Sequence, residues 1–142
     1  MSGLPLPGLL VDYGGVLTTS VFASFASFCA EQGLAPSRMV DLFRSDPSAR
    51  EAVVALELGT LAGAEFEVRL AAALGVGPER LIERLMAGAV PDQRMRDAVR
   101  AARDQGVRTG LVSNSWGSSR YPRAELAELF HGMVQVAHGH AP

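Results

Sequence analysis

An aspartate, two glycines, a serine and an asparagine are the residues whose types and placement invite chemistry. Asp12 ends the apolar run Leu9-Leu10-Val11 and leads straight into Tyr13-Gly14-Gly15. That run has no polar alternation, which predicts a strand buried on both faces of a parallel sheet. An acid ending such a strand stands where α/β sheets collect ligands, outside the carboxyl ends of the strands. Gly14 and Gly15 permit tight, positive-φ backbone and bring main-chain groups close to whatever the acid touches. Taken alone, Asp-X-Gly-Gly is equally well explained as a plain surface turn. A second apolar run, Gly110-Leu111-Val112, ends in the small polar residues Ser113 and Asn114.

The elements that must position these residues follow from periodicity and stop signals. Residues 20–89 read as four or five short helices with no strand among them. Phe22, Phe25, Phe28 and Cys29 share helical spacing and are expected in the core; Asp46 and Pro47 open one helix as cap and first residue. Gly33, Gly59, Gly75 and Gly88 are the stops. The stretch 91–106 is a longer amphipathic helix, with Met95, Val99 and Ala102 on its buried side. A further helix is predicted from about Pro122, and Gly-Met-Val-Gln-Val at 132–136 is a third strand. This order predicts an α/β fold: a Rossmann-like parallel sheet with an all-helical insertion after the first strand. The expected division is 1–19 and 90–142 for the sheet core and 20–89 for the helical insertion.

Composition excludes several classes of protein. Of the 142 residues, 48 % are hydrophobic and 20 % charged, which fits a packed core and not a disordered chain. A net charge of −2 gives no electrostatic case for nucleic acid or an anionic membrane. No stretch approaches the ~18 uncharged apolar residues of a membrane span, and the start lacks the pattern of a signal peptide. Cys29 is the single cysteine, so neither a disulfide nor a cysteine-rich metal site forms within one chain, and a reducing, cytoplasmic setting is expected. All 13 basic residues are arginines.

With Asp12 ending the first strand and Ser113 the second, the arrangement resembles the haloacid dehalogenase (HAD) superfamily of hydrolases. The stretch "VDYGGVLTT" looks like its first motif and "TGLVSNS" like its second, and the helices between them resemble a small helical cap. The resemblance implies a phosphatase that acts on a small phosphorylated metabolite through an aspartyl-phosphate, with Asp12 as the nucleophile and Mg²⁺ as the cofactor. A carboxylate that attacks phosphorus splits one hard displacement into two easier ones. The resemblance further implies that the Asp12 carboxylate and the Gly14 carbonyl hold the Mg²⁺. Ser113 then hydrogen-bonds the transferred phosphoryl group, with Asn114 beside it and the backbone at Gly15 as a further substrate contact.

Three departures from the family pattern bear on activity. Position 14, often an acid that protonates the leaving group, is glycine. The lysine of the third motif has no counterpart, since the chain has no lysine; Arg120 and Arg123 are nearby cations, but a guanidinium fork does not simply replace an ammonium. The acids of the fourth motif are also missing, and Glu125 and Glu128 read as surface charge. The family layout places the lysine, the acidic motif and two more strands beyond Pro142, so a truncated chain that lacks turnover is expected. Its first strand would then offer a free edge, predicting a homodimer through that edge or poor solubility. Two rival readings remain: a catalytically silent remnant that binds a ligand or partner, and a metal-independent dehalogenase. Trp116 is expected at the pocket entrance or in the core, His138 and His140 in a tail, and Arg44, Arg50 and Arg69 at the solvent.

Overall fold

The computed structural model describes residues 8–114, 116 and 121–136, with the backbone alone for Gln135 and Val136. Three parallel strands, β1 (Leu9–Val11), β2 (Thr109–Asn114) and β3 (Gly132–Val136), lie in the order β1-β2-β3. Leu10 is level with Gly110 and Val11 with Leu111, while Leu111 is level with Met133 and Ser113 with Gln135. The fold is α/β, as the sequence predicts.

Between β1 and β2 come α1 (Val21–Glu31), α2 (Arg38–Ser45), α3 (Pro47–Glu57), α4 (Gly63–Leu74), α5 (Leu81–Met86) and α6 (Gln93–Asp104). Local chemistry sets several of their ends. Ser20 Oγ accepts from Ala23 N at the start of α1, and Asp46 Oδ1 from Ser48 N and Ala49 N at the start of α3. Gly75 ends α4 in the left-handed region, φ 76°, where only glycine is free of strain. The first five helices enclose one apolar core, in which Cys29, Met39, Phe66, Leu81 and Leu85 are fully buried.

The chain leaves the sheet and returns to it side by side. Thr18 and Pro91 form an antiparallel bridge, Thr19 N donates to Val90 O at 2.8 Å, and Asp92 N donates to Leu17 O at 2.8 Å. Gly88 lies so close to α1 that a Cβ there would come within 3.2 Å of Ser24 Cα. Ser24 Oγ closes this joint, donating to Leu85 O at 2.6 Å and accepting from Gly88 N at 2.9 Å. These paired segments fix how the five-helix unit stands on the sheet.

A second, smaller core lies beneath the sheet, where α6 and α7 (Arg123–Leu129) pack Val99, Leu126 and Leu129 against Val11 and Leu111. The opposite face is bare among the described residues. Leu10 is 75 % exposed there, with Val112 and Val134 also exposed. Burial of β1 on both faces is therefore corrected: among the described residues, helices cover one face and β1 pairs on one side. The helix α6 is amphipathic as expected, but one residue of its buried side needs correction. Met95 is exposed, while Arg96 is buried beside Val99 because its guanidinium finds Glu125 on α7.

Candidate functional site

The carboxyl ends of β1 and β2 open into a cavity of about 650 Å³ whose far walls come from α1, α2, α3 and α5. Asp12, Tyr13, Gly14, Ser113, Asn114 and Tyr121 line its sheet end. The register puts Ser113 one level beyond Asp12 on the neighbouring strand, as expected from the sequence. Asp12 is exposed, and its Oδ1 accepts from Tyr13 N at 2.7 Å.

The turn after Asp12 binds itself up. Gly15 takes φ 76°, and its N–H donates to Thr18 Oγ1 at 2.9 Å, while the N–H groups of Val16 and Leu17 donate to Tyr13 O. Gly15 is not among the residues lining the cavity; Gly14 is.

Ser113 is buried, and its hydroxyl shares a hydrogen bond of 2.9 Å with the Tyr121 phenol. Tyr121 in turn packs on Tyr13, with ring centroids 4.7 Å apart. Beside them the Arg96 guanidinium donates from Nη1 to Glu125 Oε2 at 2.6 Å, while its Nε and Nη2 are buried with no hydrogen-bond partner among the described residues. Burial pushes the Tyr13 phenol above its ordinary value of 10.0, against the opposing pull of Arg96. Tyr121 and Arg96 escaped the sequence reading. A tyrosine before a helix and an arginine within one carry no motif, and their roles arise only when α6 and α7 meet.

The helical end of the cavity is mostly apolar. Phe25, Phe43, Val53, Ile82 and Met86 line it together with Phe22 and Val54, which are 67 % and 52 % exposed. Phe22 is thus turned out of the core where the sequence placed it. Trp116 serves in both expected places: it lines the cavity, stacks on Phe25 at 5.9 Å between centroids, and meets Phe66 edge-on at 5.4 Å. Its Nε1 donates to Glu57 Oε1 at 3.1 Å, tying the segment after β2 to α3.

Arg50 reaches the cavity wall from α3, its Nη1 donating to the carbonyls of Phe43 and Arg44. Arg69 pairs with Glu65 on exposed helix surface, and neither Arg44 nor Arg123 lines the cavity. Arg120, His138 and His140 lie outside the described residues. Among those described, no three His, Cys, Asp or Glu residues gather to hold a metal ion. None of the described helices is long and apolar enough to cross a membrane.

No protein-family model and no curated protein sequence matches the chain. Solved structures do. The chain superposes on the magnesium complex of the HAD family enzyme BT-2542 from Bacteroides thetaiotaomicron with a TM-score of 0.57 and 16 % identity, over 95 % of this chain and 69 % of that one. A second structure of that enzyme gives a TM-score of 0.58 at 17 % identity, covering 94 % of this chain and 69 % of that one. Its complex with magnesium and inorganic phosphate gives 0.57 at 17 %, with the same coverage. The chain has the HAD fold.

Asp12, which carries a carboxylate, and Gly14, which has only main-chain atoms to offer, both line the sheet end of the cavity. A carboxylate and a main-chain carbonyl are hard oxygen donors of the kind Mg²⁺ takes, and a substrate phosphate and water would supply the rest.

Proposed function

We propose that the chain is a HAD-type hydrolase that cleaves small phosphate monoesters in the cytoplasm, with residues 20–89 as a cap over the site. One observation carries this reading. Asp12 and Ser113, from adjacent parallel strands, open into the same cavity beneath the helical unit. In the proposed reaction an Asp12 carboxylate oxygen attacks phosphorus as the P–O ester bond breaks, and the leaving oxygen departs with that bond's electron pair and takes its proton from solvent. Water then cleaves the aspartyl-phosphate. Ser113, steadied by Tyr121, donates to a phosphoryl oxygen, and Asn114 stands beside it at the strand end. Mg²⁺ held by Asp12 and Gly14 would neutralise phosphate charge.

The experiment is phosphate release from a panel of monoesters with and without Mg²⁺, repeated on Asp12→Asn. Release that needs both Mg²⁺ and Asp12 supports the proposal. Halide release from haloacids without metal would favour the dehalogenase reading instead. The silent, ligand-binding reading draws on the cation count at the cavity: among the described residues Arg50 alone lines it, from the helical side. Binding of phosphate esters without any release would establish that reading. For a partner we propose a second copy across the free edge of β1, beside the exposed Leu10. Light scattering on the purified chain should show a dimer; a monodisperse monomer would contradict it.

A further inference from the structure

Two independent features of the cavity narrow the substrate. The first is the helical wall, where Phe22 and Val54 expose apolar surface beside Phe43 and Ile82. A polyhydroxylated body placed there would exchange water for side chains that cannot hydrogen-bond, which is unfavourable. The polar groups nearby are few and partly engaged: Glu57 Oε1 accepts from Trp116, Arg50 Nη1 is held by two carbonyls, and Thr18 Oγ1 is bonded to Gly15 N and Thr19 O. An apolar body, by contrast, buries its own surface and that of Phe22 and Val54.

The second feature is at the sheet end. Two positions beyond Asp12 stands Gly14, which has no side chain to give a proton to the departing oxygen. A phenolate leaves without protonation far more readily than an alkoxide, because its conjugate acid is the stronger acid.

From this wall and this glycine together we infer that the substrates are aryl phosphate monoesters, with the ring against Phe22 and Val54 and the phosphate at Asp12 and Ser113. The inference rests on the proposed phosphatase reading and names its substrate class. In the reaction the Asp12 oxygen–phosphorus bond forms as the phosphorus–phenolic oxygen bond breaks, the electron pair stays on the phenolate, and solvent supplies the proton afterwards.

Trp116 is the single tryptophan and lines the cavity, so its fluorescence reports occupancy directly. Titrating 1-naphthyl phosphate and glycerol phosphate into Asp12→Asn measures binding separately from turnover. Burying roughly 60 Å² of apolar surface is worth about tenfold in affinity, so naphthyl phosphate should bind at least about tenfold tighter. Phe22→Ser should bring the two within about twofold, and Val54→Ser serves the same purpose if the first variant fails to fold. On the wild-type chain, turnover of substituted phenyl phosphates should rise steeply as the leaving phenol becomes more acidic. Equal affinities, or rates indifferent to the leaving group, would overturn the aryl assignment while Mg²⁺- and Asp12-dependent release still upheld the phosphatase. Tight naphthyl phosphate binding with no release from any ester would instead sink the phosphatase reading and leave an aryl phosphate-binding site.

Discussion

The two ends of the cavity are built differently. At the sheet end, the groups placed for chemistry are short polar side chains and a glycine-rich turn, and the core beneath them holds seven buried apolar residues on one face of three strands. At the helical end, the wall is aromatic and aliphatic, backed by a core of fifteen such residues sealed within five helices. Residues that would react are therefore anchored largely by strand register and hydrogen bonds, and residues that would select are anchored by packing. Substitutions at one end should change turnover, and substitutions at the other should change stability and affinity.

The sharpest way to break that division is Asp12→Asn. The amide keeps the size of an exposed side chain but loses the nucleophile, so turnover should fall by about four orders of magnitude or more with the thermal transition unchanged. Loss of fold along with activity would show that the sheet end is structurally, and not only chemically, dependent on the charge. Phe66→Ala is the converse. Phe66 is fully buried in the helical core, and its removal should cost ~3–5 kcal/mol of stability, read by denaturant titration. It should also shift Trp116 emission, since the two rings touch. A smaller effect is expected of Ser113→Ala, where losing one donor to a developing oxyanion costs about 2.7–4 kcal/mol in kcat with little change in KM. An effect on KM alone would move Ser113 from transition-state stabilisation to ground-state binding.

How far the sequence reaches follows the same division. Apolar runs, glycine stops and caps such as Asp46 are local signals, so all three strands and the helices between them were legible. So was the position of Asp12 and Ser113 on adjacent strand ends, because parallel order and strand length determine it. What escaped was decided by contacts across elements. Helical spacing placed Phe22 with Phe25 and Phe28, yet the cavity wall turned it outward; spacing also favoured Met95 over Arg96, which α7 then drew inward through Glu125. Tyr121, which steadies Ser113, is legible only once α7 is seen to follow β2 across the sheet.

The smallest predicted effect concerns Tyr13. Burial raises its folded-state value above 10.0, so the folded chain holds the phenolic proton to higher pH than the unfolded chain. The resulting stability is fully present below pH 10 and is lost as pH rises through the raised folded value. Absorbance titration of Tyr121→Phe, which leaves Tyr13 as the single tyrosine, should show late ionisation, and adding Arg96→Met should delay it further by removing the opposing cation. Ionisation at the ordinary value would mean that the Tyr13–Tyr121–Arg96 cluster is open to water.

The central claim is that Asp12 is a nucleophile, and its most direct test is a mass measurement. The chain is mixed with Mg²⁺ and 1-naphthyl phosphate, quenched in acid within the first turnovers, and digested for peptide mass analysis. The account predicts one added phosphoryl group on the peptide containing Asp12, absent in Asp12→Asn and discharged by hydroxylamine. Steady release of phosphate with no phosphoryl group ever found on Asp12, under quench times that resolve the first turnover, would contradict it.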